Sequence, residues 1–395
     1  MTLNNFKCTR LEQIELHNLL SFGPDTEPLL LESLNILIGP NGSGKSNLIE
    51  AIAFMRSSPG DIRETLRRSG GTGEWIWKGE KNSSACVNLV LDNPNGRKPI
   101  RHIISFKEFS HGFKLEDERI ENEMPDSGED KPYFFYRYNQ GHPVVNTINE
   151  QGRALGYETV EAERSILSQR RDPELYPELS YIAETYEKIR IYREWSFGRN
   201  AVFREPQKAD MRNDRLEEDF SNLGLFLNRL RRNPQAKTSI LESLHDLYEE
   251  VTDFDVSIEG GTVQVFFTEG EFVIPATRLS DGTLRYLCLL AILLDPSPPP
   301  LICIEEPELG LHPDVLPKLA DLMVMASERT QLIVTTHSDI LVDAMSDRPE
   351  TVVVCEKQSG MTRLSRLRKN ELEVWLDRFR LGQLWTKGQI GGTRW

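Results

Sequence analysis

Two kinds of hydrophobic periodicity organise the chain. Leu11 to Leu19 alternates as a half-buried strand does, and Leu34 to Ile38 is a short, unbroken apolar run that reads as a buried one. The second run feeds into Gly39-Pro40-Asn41-Gly42-Ser43-Gly44-Lys45-Ser46. Beyond it, Ser46 to Met55 places Leu48, Ile49, Ile52 and Ala53 on one side of a helix. Further short strands are predicted at Ala85 to Leu91, Ile100 to Lys107 and Tyr133 to Tyr138. The stretch Leu115 to Lys131 is acidic and polar and reads as a flexible loop.

Residues 159–250 change character. Charges recur at helical spacing, with helices predicted across Tyr181 to Trp195 and Leu225 to Leu230. Pro173, Pro177, Pro206 and Pro234 break this helical insertion too often for a long coiled coil. Strand periodicity returns at Val251 to Ile258 and Val263 to Phe267. From Leu284 the order is helix, strand (Leu301 to Ile304), helix (Val315 to Ser327), strand (Leu332 to Thr335), helix, strand (Thr351 to Glu356). Such alternation implies a parallel α/β core. Three parts follow: an N-terminal lobe over 1–158, the helical insertion over 159–250, and a C-terminal lobe over 251–395.

Composition narrows the class. At roughly 100–200 residues per domain, 395 residues suggest about two domains or one large domain in two lobes. A chain 38% hydrophobic and 27% charged is of ordinary globular type. No apolar run approaches the roughly 18–20 residues of a membrane span, and Met1 to Arg10 lacks the pattern of a secretory signal. Cys8, Cys86, Cys288, Cys303 and Cys355 are odd in number and form no CxxC pair, so reduced core thiols of a cytoplasmic protein are expected. A net charge of −14 argues against a surface that binds nucleic acid throughout, though a local basic groove stays possible. The basic clusters Arg63, Arg67, Arg68; Arg229, Arg231, Arg232; and Arg363, Arg366, Arg368, Lys369 read as solvated faces.

Four motifs carry chemistry. The glycine-rich loop lets successive backbone N–H groups point inward, and with the following helix N-terminus they form a nest for phosphates. Lys45 would reach the β- and γ-phosphates of a nucleoside triphosphate, and the Ser46 hydroxyl would bind Mg²⁺. In Leu301-Ile302-Cys303-Ile304-Glu305-Glu306 an apolar strand ends in two carboxylates that point to opposite faces. Glu305 would hold Mg²⁺ and Glu306 would polarise the attacking water. Leu279-Ser280-Asp281-Gly282-Thr283 precedes a helix, as an N-cap and as a second phosphate site. Thr335-Thr336-His337-Ser338 follows a strand and places His337 to sense a γ-phosphate.

Those four motifs in that order resemble the ABC-type ATPases, and more closely the RecF/SMC-like branch with its short stand-alone ATPases. Gly39 to Asn47 resembles Walker A, and Leu279 to Thr283 resembles the signature. Ile304-Glu305-Glu306-Pro307-Glu308 with Leu311-His312-Pro313 resembles Walker B and the D-loop, and Thr336-His337-Ser338 the switch histidine. The likeness is good over about 1–110 and 270–360 and thinner over the insertion; the tail from Trp375 to Trp395 resembles the ends of the stand-alone proteins. The resemblance implies an α/β, two-lobed P-loop NTPase head with a mixed N-terminal β lobe, a parallel-sheet core and a helical insertion. It implies ATP and Mg²⁺ as ligands. It further implies a head-to-tail homodimer in which Ser280 and Gly282 of one copy contact the γ-phosphate held by Lys45 of the other. Asn41, Gly42, Ser43, Gly44 and Asn47 join the nucleotide site, and Gln169 is the candidate glutamine that links Mg²⁺ to the helical lobe. Three departures stand out: Glu305 where many relatives have aspartate, His312 where the D-loop usually has aspartate, and Asp281 where transporters have glycine.

The expected function is an ATP-gated dimer in DNA repair or anti-phage defence, engaging DNA or controlling a nuclease or toxin effector. A transporter's nucleotide-binding subunit is the alternative. It fits poorly, because 235 residues separate Lys45 from Ser280 where a compact transporter subunit needs roughly one small domain. A fused nuclease of the OLD kind would follow His337, where only 58 residues remain and no DxD occurs. A structural protein with vestigial ATP binding is disfavoured by the intact Lys45, Ser46, Glu306 and His337.

Overall fold

A computed structural model describes residues 10–392 apart from 81–82, 95, 111, 140, 148–152, 156–159, 162, 196–197 and 199–200. Cys8 and the N-terminal segment before Arg10 lie outside the described residues. The chain divides into two compact units, neither contiguous in sequence. The first takes residues 1–189, 350–368 and 387–395; the second takes 190–349 and 369–386.

The first unit is built on an eight-stranded sheet. Its order is Leu29–Leu30, Leu11–His17, Ala85–Leu91, Ile100–Phe109, Gly112–Asn122, Phe134–Asn139, His142–Val145 and Arg153–Ala154, with every neighbour antiparallel. Alternation orders these strands: Leu11, Ile14 and Leu16 are buried while Glu12 is exposed. The strand Gly112–Asn122 corrects the loop expected from Leu115 onward. Its acidic residues hid it, because Glu118 points inward with no exposed surface. The carboxylate is satisfied there: Ser165 Oγ donates to Glu118 Oε1 at 2.5 Å and the Ile166 N–H to Oε2 at 2.9 Å, with His102 Nε2 at 3.3 Å. Also in this unit, Leu34–Ile38 runs parallel to Val352–Gln358, which pairs antiparallel with Met361–Arg366. The helix Lys45–Ser57 buries Leu48, Ile49, Ile52 and Ala53, as its spacing predicts.

The second unit holds three parallel strands, Arg190–Tyr192, Leu301–Glu305 and Gln331–Thr335, in that order. The helices Asp281–Leu293 and Leu316–Ala326 supply the intervening α elements. The helix expected over Tyr181 to Trp195 is shorter: Pro177–Lys188 is helical, and the chain then extends as the strand Arg190–Tyr192. A smaller antiparallel sheet is made by Gln207–Lys208, Val251–Glu259, Thr262–Glu269 and Phe272–Pro275. Near the C-terminus Leu381–Thr386 docks on Asp339–Asp343, where the Gly382 N–H donates to Asp343 Oδ1 at 2.6 Å and Trp385 is buried. A Cβ on Gly382 would overlap the Asp339 carbonyl, which explains the glycine in that tail.

Cys288, Cys303 and Cys355 are buried and unbridged. Burial pushes the Cys288 thiol up and that of Cys355 up to about 12, so these are protonated core groups. Among the described residues no helix is long and apolar enough to cross a membrane.

Candidate active site

In the first unit the strand Leu34–Ile38 delivers the chain into the phosphate loop. Gly39 has φ 147°, and a Cβ there would overlap the Cys355 carbonyl and lie 2.9 Å from Ser43 Oγ. Gly44 has φ 104°, and a Cβ there would overlap Thr362 Oγ1 and lie 2.8 Å from Ser21 Oγ. Both positions combine a left-handed backbone with close approach, which only glycine tolerates. Gly44 is also the N-cap of Lys45–Ser57 and offers no side chain to the first turn, which carries no acidic residue. The helix N-terminus therefore keeps its N–H groups and partial positive charge for an anion.

Ser43 is 1% exposed, and its Oγ has no hydrogen-bond partner among the described residues. A phosphate oxygen would satisfy such a group. Lys45 is buried, and its Nζ donates to the carbonyls of Gly39 at 2.8 Å and Pro40 at 3.0 Å, which keeps the ammonium inside the loop. Asn41, Gly42 and Ser46 are exposed at its rim. Asn47 faces a brace behind the loop. Thr362 Oγ1 donates to the Ser43 carbonyl at 2.8 Å, so Ser21 Oγ donates to Thr362 at 2.6 Å and accepts from Asn47 Nδ2 at 2.7 Å.

In the second unit Glu305 pairs in register with Thr335. The two carboxylates and Thr336-His337 therefore emerge together at the C-terminal ends of adjacent parallel strands, where α/β sheets place their ligands. Glu306 has φ 47°, left-handed for a residue with a Cβ. Its N–H donates to the Thr335 carbonyl at 3.0 Å, and His337 Nε2 lies 3.7 Å from Glu306 Oε1. Glu305 has Arg193 Nε at 3.8 Å.

Ser280 caps Asp281–Leu293: its Oγ accepts from the Thr283 N–H at 3.1 Å, and the residue is exposed at the helix start. A Cβ on Gly282 would meet the Gly310 carbonyl at 3.0 Å, so this glycine lies close against the loop after the carboxylates. Asp281, the departure from the transporter pattern, accepts from Arg204 Nη2 at 2.6 Å and from the Gly198 N–H at 3.0 Å. The Arg204 guanidinium holds its carboxyl below the usual aspartate range. His312 is exposed and caps a short turn, with Asp314 at 3.2 Å.

Gln169 lies in the first unit at the end of the turn that Glu118 anchors. Its Oε1 accepts from the Glu161 N–H at 2.7 Å, and its Nε2 donates to the carbonyls of Glu161, Arg164 and Ser165 at 3.1–3.3 Å. The amide thus closes its own loop.

Sequence reasoning missed three kinds of supporting residue. Glu308 accepts at Oε1 from Thr336 Oγ1 at 2.8 Å and from the His337 N–H at 2.7 Å, fixing the backbone at His337. Arg285 and Trp195 bind the carbonyls of Glu306 and Glu305. Thr362 and Ser21 brace the phosphate loop from behind. A third carboxylate in Glu305-Glu306-Pro307-Glu308 and an arginine inside an otherwise apolar helix were visible signals. Nothing local marked Thr362.

The family model described as "AAA domain, putative AbiEii toxin, Type IV TA system" matches residues 34–343. The "Chromosome partition protein Smc" of Cereibacter sphaeroides is 35% identical over 94 residues, covering 23% of this chain and 8% of that protein. The "DNA double-strand break repair Rad50 ATPase" of Sulfolobus acidocaldarius is 34% identical over 82 residues, covering 21% of this chain and 9% of that protein. The matches thus span less than a tenth of the length of these relatives. Among solved structures, an Smc head bound to the C-winged helix domain of ScpA superposes with TM-score 0.57 at 14% identity, covering 91% of this chain and 99% of the other. An Smc head with an extended coiled coil, bound to the C-terminal domain of ScpA derived from Pyrococcus furiosus, gives TM-score 0.56 at 14% identity, with 93% and 99% covered. The fold is that of an Smc-type head.

Proposed function

We propose, from the premise that the chain belongs to the family described as "AAA domain, putative AbiEii toxin, Type IV TA system", that it is an ABC-type ATPase head of the RecF/SMC-like branch that hydrolyses ATP and is gated by it. The observation that carries this reading is the pairing of Glu306 with His337, 3.7 Å apart at the ends of adjacent parallel strands, in a chain that also holds the phosphate loop.

Lys45 and the loop N–H groups from Asn41 to Ser46 neutralise the β- and γ-phosphates. Ser46 and Glu305 are hard oxygen donors of the type Mg²⁺ takes, whereas the Gln169 amide oxygen is taken by the Glu161 N–H of its own loop. When bound, Mg²⁺ supplies neutralisation of the phosphate charge. Glu306 orients a water on the γ-phosphorus and takes its proton. The water oxygen–phosphorus bond forms as the bond from the γ-phosphorus to its bridging oxygen breaks, and that electron pair leaves with ADP. His337 senses the γ-phosphate beside Glu306. Ser280 and Gly282, at an exposed helix start, complete the nucleotide site of a second copy, so ATP joins two heads and hydrolysis parts them.

The output is DNA engagement or control of a partner effector, in repair or defence. The relatives' work on chromosomes and double-strand breaks supports the first. The toxin–antitoxin family description and the −14 net charge support a protein effector.

The test is light scattering and ATP turnover on three variants. Glu306→Gln should accumulate an ATP-bound dimer, Lys45→Ala should lose ATP binding, and Ser280→Arg should stay monomeric with ATP. Normal turnover by Glu306→Gln would remove the catalytic assignment, and ATP-dependent dimers of Ser280→Arg would remove the shared site.

A further inference from the structure

Glu306 is held in a costly conformation. A left-handed backbone at a residue with a Cβ persists only where its surroundings fix it. Four hydrogen bonds do so: the Glu306 N–H donates to the Thr335 carbonyl and to Thr335 Oγ1 at 3.2 Å, and the Glu306 carbonyl accepts from Arg285 Nη2 at 2.5 Å and from the Leu309 N–H at 3.1 Å. The first two come from the neighbouring strand. The third comes from the helix that Ser280 caps, five residues after the cap.

Arg285 is 1% exposed, in the midst of a helix whose other residues from Leu284 to Leu293 are apolar. A buried cation is expensive, and an apolar residue would pack there at less cost. Its guanidinium lies over the Trp195 ring, 4.1 Å from the centroid, a contact that repays part of the cost. Trp195 in turn donates from Nε1 to the Glu305 carbonyl at 2.8 Å. The indole also stacks on Phe220, which stacks on Tyr192, and Tyr192 pairs in register with Ile304 of the carboxylate strand. The peptide carbonyls of both Glu305 and Glu306 are therefore pinned by one stacked pair. The same stretch of chain returns to the helix start, where Gly198 and Arg204 bind Asp281.

We infer that Trp195 and Arg285 are positioning residues that tie the Ser280 helix to the backbone of Glu306. A shift of that helix as Ser280 meets the second copy's nucleotide is carried through Arg285 to the Glu306 peptide, and so to the carboxylate that aims the water. The inference rests on the ATPase reading above.

The experiment compares Trp195→Phe, Arg285→Lys and Arg285→Met with wild type in ATP affinity, kcat, KM and melting temperature. Trp195→Phe keeps the stack and removes the N–H; Arg285→Lys keeps the charge and loses the planar fork. Misplaced catalytic groups typically cost 10²-fold for about 1 Å, so kcat should fall roughly tenfold in Trp195→Phe and Arg285→Lys and about 100-fold in Arg285→Met. KM and ATP affinity should stay within about twofold in the two conservative variants. Trp195 is one of six tryptophans, so the difference between wild type and Trp195→Phe isolates its fluorescence. That signal should change when ATP joins the heads and stay constant in Ser280→Arg. Wild-type kcat in folded Trp195→Phe and Arg285→Lys, while Glu306→Gln is inactive, would overturn this inference and leave the ATPase reading standing. A wild-type chain that neither binds nor hydrolyses ATP would overturn both.

Discussion

Truncating Glu308 should loosen His337 without touching its imidazole. The carboxylate's Oε1 takes both the Thr336 hydroxyl at 2.8 Å and the His337 N–H at 2.7 Å. Each bond to a charged acceptor contributes about 1.5–3 kcal/mol, so Glu308→Ala forfeits about 3–6 kcal/mol gross. Burial raises the pKa of this carboxyl, ahead of the lowering by the His337 N–H, so relief of desolvation offsets part of the loss. A net destabilisation of about 2–4 kcal/mol is expected, together with a fall in kcat of roughly tenfold or more as His337 loosens beside Glu306. Glu308→Gln retains an acceptor at the same place and should cost about half as much or less.

The pH dependence has a definite sign. With the folded pKa above the ordinary value of 4.5, the native state binds more protons than the unfolded state between those two values. Stability from this group is therefore full below about 4.5 and is lost as pH rises through the folded pKa. Glu308→Gln should gain on wild type over that window. Urea unfolding at several pH values with parallel ATP turnover measures both quantities. Glu308→Ala that unfolds and turns over as wild type does would refute the reasoning, as would Glu308→Gln that is as impaired as Glu308→Ala.

Two other perturbations probe the first unit. Gly44→Ala places a Cβ against Thr362 Oγ1 at φ 104°; the left-handed backbone alone costs about 1–2 kcal/mol, so ATP affinity measured by calorimetry should fall at least about tenfold. Glu118→Ala leaves the Ser165 hydroxyl and the Ile166 N–H without their buried acceptor and should destabilise the fold by about 3–5 kcal/mol. Glu118→Gln should be milder, and an unchanged denaturation midpoint in Glu118→Ala would show that the buried carboxylate is dispensable.

The parts of the site legible in the sequence are those whose cause is local. The phosphate loop needs glycines at Gly39 and Gly44 and a helix directly after it, so strand, loop and helix announce one another within a few residues. The apolar strand ending in Glu305 and Glu306, and the Ser280 cap two residues before Gly282, are equally short-range. Long apolar periodicities likewise placed the α/β order from Leu284 onward.

Tertiary structure decided what hydrogen-bonding partners far along the chain supply. Leu115 to Asn122 read as a loop because the inward position 118 is charged, and the donors from Ser165 and Ile166, with His102, make a strand there tolerable. The brace on the phosphate loop comes from Thr362, 319 residues beyond Ser43, and the hold on the Glu305 carbonyl from Trp195, 110 residues before it. Arg285 shows the same division within one residue. Its place in the helix follows from the apolar pattern around it, but the Glu306 carbonyl it binds was fixed by packing. A sequence states which groups need partners; burial then makes an unmet need costly, and the fold alone determines which distant group meets it.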